Sequence, residues 1–212
     1  MQIFQDDLSM SRTVQPISQY GKADEWDYQA AKKIPELMRQ IARTFYHGIR
    51  FEDSSNAIRS MGGINHYIST NETAMSGAAI TPKVIHDAMQ TCFEAGGNPS
   101  LLICNAWQKR KLNAMFEGPV RTTRDETTGG VRIETIVTEF GELDILMDRW
   151  CPPANLYIVE SRYIGFLPYD PFFWETLAKT GDADKAEVVG EYTLVVKNEE
   201  AHAKITGAST TS

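Results

Sequence analysis

The stretch from Thr138 to Glu160, TEFGELDILMDRWCPPANLYIVE, decides most of the fold. Alternating apolar residues on both sides of Gly141 predict two strands joined by a tight turn, because successive side chains of a strand point to opposite faces. Pro152 and Pro153 cannot donate a hydrogen bond to a neighbouring strand, so they end this pairing and turn the chain. Leu156–Val159 then reads as a further strand, and nothing in the stretch resembles a catalytic centre.

The segment between Asp24 and Gly48 predicts one long amphipathic helix. The Asp24 side chain can cap the free N–H groups at its start, and Gly48 is a natural stop. Pro35 lies inside the pattern and predicts a kink. One helical face should pack against the body of the protein. Its apolar positions are Ile34, Leu37, Met38, Ile41, Ala42 and Phe45.

Two further helices enclose a buried strand. Thr81 and Pro82 open the second helix, and a Gly-Gly pair closes it. Leu101–Cys104 is a short apolar run bounded by breakers, which predicts a strand buried on both faces. Asn105 then caps the third helix.

The other segments read mainly as strands and loops. Residues 2–19 predict an extended strand that must pair with another part of a protein, since an isolated strand is not stable. Residues 65–70 predict a short strand, and 187–205 contains a long one. The aromatic stretch 163–174, interrupted by prolines, predicts a packed corner or a subunit contact rather than a base-stacking platform. Helices followed by several strands indicate an α+β fold and disfavour a doubly wound sheet.

The composition is that of an ordinary soluble globular protein. The chain has 212 residues and a net charge of −7, which argues against a basic nucleic-acid-coating surface. No apolar run approaches the length needed to cross a membrane, and the N-terminus lacks the apolar core of a signal peptide. The three cysteines follow no metal-binding spacing, so buried, reduced thiols are favoured. They are Cys92, Cys104 and Cys151.

Motifs that could carry chemistry are weak throughout the sequence. None of the histidines (His47, His66, His86 and His202) lies four residues from another, as a zinc-binding helix requires. Asp182 and Asp184 resemble the start of a calcium loop but lack its glycine and its closing glutamate, so a solvated turn is favoured. The basic run from Gln108 to Lys111 is read as a solvated helix face, with a phosphate or inter-subunit contact as the alternative. The sequence therefore predicts no catalytic residue, no cofactor-binding residue and no metal ligand.

Several segments in order resemble a family of tailed-bacteriophage major capsid proteins with the Hong Kong 97 phage capsid fold. The segments are QIFQDDLSMSRTVQPISQYGKADEWDYQ (2–29), MGGINHYI (61–68), FEAGGNPSLLICNAWQKRKL (93–112), TEFGELDILMDRWCPP (138–153) and LAKTGDADKAEVVGEYTLVVKNEEAHAKI (177–205). Each motif is weak alone, but their order and spacing are fairly specific, and the resemblance covers nearly the whole chain.

The resemblance implies a structural protein that self-assembles into the icosahedral head shell of a tailed phage around double-stranded DNA. Helix 24–48 would be the spine helix of a peripheral domain that includes residues 1–75. Residues 76–160 would form the axial domain, 161–207 would return to the peripheral domain, and 208–212 would be a disordered tail. Partners would be further copies in hexamers and pentamers, decoration, scaffold and portal proteins, and DNA held non-specifically. The protein would be made in the host cytoplasm.

One departure from the family concerns the start of the chain. In the family, sequence similar to residues 2–11 follows an N-terminal arm and an extended loop, which the resemblance would place upstream. The resemblance thus implies a truncated or processed protein that assembles poorly into closed shells by itself. It also implies that the partner of strand 2–19 lies in the upstream region. Two alternatives remain: a cargo-enclosing compartment protein of the same fold, as in encapsulins, and an enzyme that uses Cys104 or Cys151 as nucleophile.

Overall fold

The computed structural model describes residues 1–14, 24–55, 58–116, 134–179 and 181–211. The chain divides into two units, one made of Met1–Gly63 and Phe166–Leu194 and the other of Ile64–Gly165 and Val195–Ser212. The elements in chain order are β1 (Gln2–Ser11), α1 (Glu25–His47), β2 (Phe51–Asp53), β3 (Ile58–Ser60), α2 (Ile64–Tyr67), β4 (Glu72–Ala74), α3 (Pro82–Glu94), β5 (Leu101–Cys104), α4 (Ala106–Phe116), β6 (Thr135–Thr138), β7 (Gly141–Met147), β8 (Leu156–Val159), β9 (Ile164–Leu177), β10 (Ala183–Val196) and β11 (Ala203–Thr206).

The first unit contains a three-stranded sheet in the order β1-β10-β9, with α1 packed against β1. β1 and β10 pair antiparallel over the whole of β1, with Phe4 opposite Gly190 and Leu8 opposite Ala186. These pairs lie on the buried face of both strands. Every second residue of the two strands is therefore withdrawn from water, which fixes their register.

Helix α1 begins and ends where the sequence predicts. The Asp24 side chain accepts a hydrogen bond from the Trp26 N–H at 2.8 Å, and the Gly48 N–H donates to the Thr44 carbonyl at 2.8 Å. Pro35 lies within the helix. The capping interactions satisfy backbone groups that a helix terminus otherwise leaves unpaired.

The second unit contains a six-stranded mixed sheet in the order β4-β11-β8-β5-β7-β6. β5 lies between β7, which runs parallel to it, and β8, which runs antiparallel. The apolar face of α3 packs on this sheet, with Met89 and Cys92 in the same buried cluster as Leu102, Ile158 and Ile205. The prediction of a strand at Leu101–Cys104 buried on both faces is confirmed, since Leu102, Ile103 and Cys104 are all buried.

The hairpin around Gly141 is also confirmed, with Thr138 paired to Gly141 and Ile136 paired to Leu143. Gly141 adopts a φ of 143°, a conformation that side-chain-bearing residues rarely adopt. The part of the predicted strand before residue 134 lies outside the described residues, as do residues 15–19 of the predicted N-terminal strand.

Three local predictions are wrong. The partner of the N-terminal strand is β10 of the same chain, so no upstream segment is needed to pair it. Residues 65–70 hold the end of the short helix α2 instead of a strand. The stretch 163–174 is mainly strand and not a packed corner, because its prolines lie on the edge strand β9, where missing N–H groups are tolerated. The alternative of a subunit contact at this stretch stays a prediction.

The boundaries of the units also differ from those predicted. They fall at residues 63 and 165 rather than 75 and 160, and residues 195–207 belong to the second unit. Ala208, assigned from the sequence to a disordered tail, is buried and donates its N–H to the Ala154 carbonyl at 2.8 Å. The Ser209 N–H donates to the Ala78 carbonyl, so the tail is held at least this far.

Candidate contact surfaces

Strand β9 carries large apolar side chains that remain exposed to solvent. Tyr169 is 71% exposed and Leu167 is 57% exposed, and Phe173 and Trp174 are also exposed. β9 forms one edge of its sheet, where further contacts can be made. Exposed apolar surface of this kind can mark a site of contact with another protein.

Other aromatic residues of β9 are used inside the first unit. Phe166 stacks on Tyr192 with ring centroids 5.1 Å apart, and Phe172 packs on the same ring at 4.9 Å. Phe4 approaches Tyr192 edge-on at 6.5 Å. Gly190 makes room for this cluster, since a Cβ there would lie 2.6 Å from a ring carbon of Phe172. Phe172 and Phe166 thus help to fix the strand, although Phe166 is still 40% exposed.

The second unit presents a mixed apolar and acidic face on β6 and β7. Val137 lies opposite Glu142, and Thr135 lies opposite Asp144 and donates to it at 3.0 Å. Val137 and Leu146 are exposed on this face because alternate residues turn to the core. The charged neighbours oppose edge-to-edge aggregation of this exposed strand pair.

The residues of the basic run on α4 differ in their contacts. Gln108 is buried, and its amide donates to the carbonyls of Pro153 at 2.8 Å and Ser209 at 3.1 Å. The Lys111 ammonium lies over the Trp107 ring at 5.4 Å. The prediction of a solvated helix face is therefore wrong for Gln108, which connects α4 to two other segments.

All three cysteines are buried, free thiols. Burial raises the pKa of Cys92 and Cys151 to about 12 and that of Cys104 to about 11. Only about one thiol in 10⁴ to 10⁵ is then ionised at neutral pH, and the thiolate is the nucleophilic form. The arrangement disfavours the thiol-enzyme alternative.

His202 is a fully buried polar residue that the sequence does not single out. Its Nδ1 atom accepts a hydrogen bond from the Glu160 N–H at 3.1 Å, whereas Nε2 is buried without a partner. Burial lowers the pKa of His202, although nearby Glu160 and Glu199 oppose this shift. The geometry requires a neutral ring, so His202 holds the chain at Glu160 as a structural acceptor.

The remaining candidates for metal binding are separated from one another. His86 pairs with Glu139 at 2.7 Å, and Asp182 pairs with Arg12 at 3.1 Å. Asp184 pairs with Lys179 instead of turning toward Asp182. No group of three or more His, Cys, Asp or Glu side chains in the described ranges could hold a metal ion. No helix in those ranges is long and apolar enough to span a membrane.

The sequence matches the family model described as SU10 major capsid protein over residues 1–209. The chain belongs to this family of phage capsid proteins. It is therefore a capsid shell protein, and its family is a structural one. No curated protein matches the sequence significantly.

Solved structures of capsid and compartment shells share the fold. The cyanophage A-1(L) capsid subunit has a TM-score of 0.76 at 12% identity, covering 98% of this chain and 77% of its own. The phage G gp27 major capsid protein structure, which includes gp26 decoration proteins, has a TM-score of 0.59 at 9% identity, covering 99% and 71%. The SrpI encapsulin of Synechococcus elongatus PCC 7942 has a TM-score of 0.68 at 11% identity, covering 99% and 75%.

These findings confirm the expected α+β capsid fold of the Hong Kong 97 phage type and the resemblance to tailed-phage capsid proteins. The capsid protein is part of a phage virion and assembles with its own kind into a shell. Since the identities are low, the structural likeness supports the fold alone, and the family match carries the function.

Proposed function

We propose that this chain forms the icosahedral head shell of a tailed phage, which encloses double-stranded DNA, and that it has no enzymatic activity. The family match over residues 1–209 carries this proposal. The buried thiols with raised pKa support the second part, because a nucleophile must be accessible and ionised. The net charge of −7 suits a shell that confines DNA without binding it specifically.

In this proposal the first unit is the peripheral domain and the second is the axial domain. The first unit holds the long helix α1 beside an extended sheet, as a spine helix requires. The second unit would gather around the centre of each capsomer, which places the face of β6 and β7 in reach of neighbours. The boundaries are those of the units, at residues 63, 165 and 194.

The partners in this proposal are further copies of the chain in hexamers and pentamers. Decoration, scaffold and portal proteins would join them, and one structure of the same fold contains decoration proteins beside its capsid subunits. The protein would be synthesised in the cytoplasm of the bacterial host.

Negative-stain electron microscopy of the purified chain over a range of concentrations tests the proposal. Six-membered and five-membered rings, or curved sheets of them, are expected at high concentration. Tyr169→Ser and Trp174→Ser should reduce ring formation, and Tyr169→Phe, which keeps the exposed ring, should not. A chain that stays monomeric at every concentration would contradict the proposal, and unchanged rings in both serine variants would remove β9 from the contact.

A cargo-enclosing compartment is the second candidate, because the fold likeness to the SrpI encapsulin is as clear as that to several phage capsids. The contents of particles isolated from the producing cells separate the two functions. Nuclease-resistant double-stranded DNA supports the phage head. A single enclosed protein without DNA supports the compartment.

A further inference from the structure

Helix α1 carries a row of basic side chains on the side opposite its packed face. Lys32, Arg39 and Arg43 form this basic row, and all three are exposed. Their spacings of seven and four residues place them on one side of the helix. Leu37 and Ile41, two residues to either side of Arg39, are buried. Because positions two residues apart lie about 200° apart around a helix, the basic row points away from the buried face.

The charge of this segment contrasts with that of the rest of the chain. Residues 28–50 contain five Lys and Arg against one carboxylate, Glu36, which is a net charge of +4, whereas the other 189 residues carry −11. Of the five, Lys33 is largely withdrawn from solvent and pairs with Asp6 at 3.0 Å. A solvated helix face typically alternates charges of both signs. Cations concentrated along one line of a helix are instead typical of a surface that meets a polyanion.

The cations of the basic row keep their charge. In the ranges that the structure describes, neither Arg39 nor Arg43 lies within ion-pair distance of a carboxylate. The Lys32 ammonium lies 3.8 Å from the centre of the Tyr28 ring, a contact that orients the ammonium and does not neutralise it. Positive charge thus extends over eleven residues of helix, a length of about 16 Å.

The helix dipole does not account for the basic row. A helix favours acids in its first turn and cations in its last, and the effect fades within that turn. Glu25 and Asp27 in the first turn of α1 follow this rule. Lys32 and Arg39 lie more than one turn from either end of Glu25–His47. Their position therefore calls for a partner outside the helix.

We propose that the basic row of α1 binds the phosphate backbone of duplex DNA. This contact rests on the proposed function, in which the shell encloses double-stranded DNA. One DNA strand presents a phosphate about every 3.4 Å along the duplex axis, so about five phosphates lie within the length of the row. The planar guanidinium group of arginine matches two phosphate oxygens at once, and two of the three cations are arginines. The contact is independent of base sequence, since phosphates carry none.

Duplex DNA fits the basic row better than an acidic protein surface does. Covering three cations with protein requires a matching carboxylate for each, because an unmatched charge in a buried contact is strongly unfavourable. Charged residues are accordingly depleted from the cores of protein interfaces. A phosphate backbone is a continuous line of negative charge, so the three cations meet partners without an exact register. The acidic remainder of the chain repels DNA, which confines the contact to the row and keeps it weak.

Fluorescence anisotropy of a short labelled duplex, titrated with the purified chain at several salt concentrations, tests this contact. Binding at low salt should weaken as salt rises, and the logarithm of affinity should fall against the logarithm of salt concentration with a slope of about −2.7 for three phosphate contacts. Arg39→Gln combined with Arg43→Gln should weaken low-salt binding about tenfold or more and bring the slope to about −0.9. Arg39→Lys combined with Arg43→Lys, which keeps both charges, should retain the slope.

The matched control removes the same charge from another helix. Arg110→Gln combined with Lys111→Gln on α4 should leave the slope unchanged. Glutamine is a good helix former and both α1 positions are exposed, so the glutamine pair on α1 should keep the circular dichroism and thermal unfolding of the unmodified chain.

No binding of the duplex at low salt overturns the contact. An equal loss of binding in the α4 control also overturns it, because the effect is then one of net charge. Unchanged binding by the glutamine pair on α1 overturns it too, and loss of rings in that variant then assigns the row to a contact between copies. Ring formation by the unmodified chain is scored separately by electron microscopy, so a failure of the DNA contact is distinguishable from a failure of shell assembly.

Discussion

Replacing His202 by leucine should remove the acid sensitivity that this residue gives to the second unit. The imidazole of His202 is fully buried, and its Nδ1 accepts the Glu160 N–H at 3.1 Å. Protonation would place a hydrogen on Nδ1, facing the hydrogen of that amide, so the contact exists only with a neutral ring. His202→Leu keeps most of the volume and cannot titrate.

The expected change in stability at pH 7.5 is small. Leucine leaves the partly buried Glu160 N–H without an acceptor, which costs about 1–3 kcal/mol. It also removes the buried Nε2 hydrogen, which has no partner, and this relief offsets about 1 kcal/mol. The net loss is then on the order of 1 kcal/mol. His202→Asn supplies the control, because its Oδ1 can accept the same N–H without titrating.

The dependence on pH follows from the direction of the pKa shift. The pKa of His202 is lowered from 6.5 because burial penalises the imidazolium, and the opposing effects of Glu160 and Glu199 are weaker. Below pH 6.5 the unfolded chain therefore binds more protons than the folded one. The contribution of the neutral ring is complete above pH 6.5 and is lost as the pH falls toward the folded-state pKa.

Urea unfolding between pH 7.5 and 5.0 measures this difference, with hydrogen exchange of the Glu160 amide as the local readout. The unmodified chain should lose stability over this range. The part of this loss that comes from protonation of His202 should be absent in both variants. The Glu160 amide should exchange faster in His202→Leu and remain protected in His202→Asn. A leucine variant as acid-sensitive as the unmodified chain, or one with a protected Glu160 amide, would refute the reasoning.

Three further predictions concern other contacts. Gly190→Ala should lower stability by about 1–3 kcal/mol and weaken the near-ultraviolet circular dichroism of the aromatic cluster, since its Cβ would meet Phe172; an unchanged spectrum counts against this packing. Glu199→Ala should cost about 1 kcal/mol and speed exchange of the Ser69 and Thr70 amides, which donate to Glu199 at 2.6 Å each; unaltered exchange would contradict it. Native thiols should react with a thiol reagent only after unfolding, because burial raises their pKa to about 11 or 12, so rapid native labelling would reopen the enzyme hypothesis.

Local signals in the sequence are sufficient for the elements that depend on local chemistry. Asp24 and Gly48 define α1, and Gly141 defines the hairpin of β6 and β7, because caps and turns are formed by residues close in sequence. The pairing of β1 with β10 joins residues that are distant in the chain, and no local pattern specifies it. Strand β9 was not predicted because its sequence contains prolines, which argue against a central strand. An edge strand tolerates them, and the sequence does not show that β9 is an edge strand.

The short hairpin of β2 and β3 was missed for another reason. The sequence from residue 52 onward is polar and rich in turn-forming residues, which reads as a loop. The available signal was the alternation of Ile49 and Phe51 before a turn, with Ile58 returning after it. Such a pattern predicts a ribbon, but periodicity alone does not show whether its apolar face is buried within the chain or exposed.

Helix α1 shows why this limit matters for a capsid protein. Ile34 and Met38 fit the same apolar stripe as Leu37 and Ile41, yet they are 38% and 49% exposed while Leu37 and Ile41 are buried. The prediction that the whole stripe packs within the chain is thus wrong for its flank. The stripe is therefore wider than the contact that the first unit provides for it, because helical apolar periodicity does not distinguish a buried position from an exposed one. In a protein whose function is assembly, exposed residues that satisfy a core pattern are therefore the ones to test first as contacts between copies.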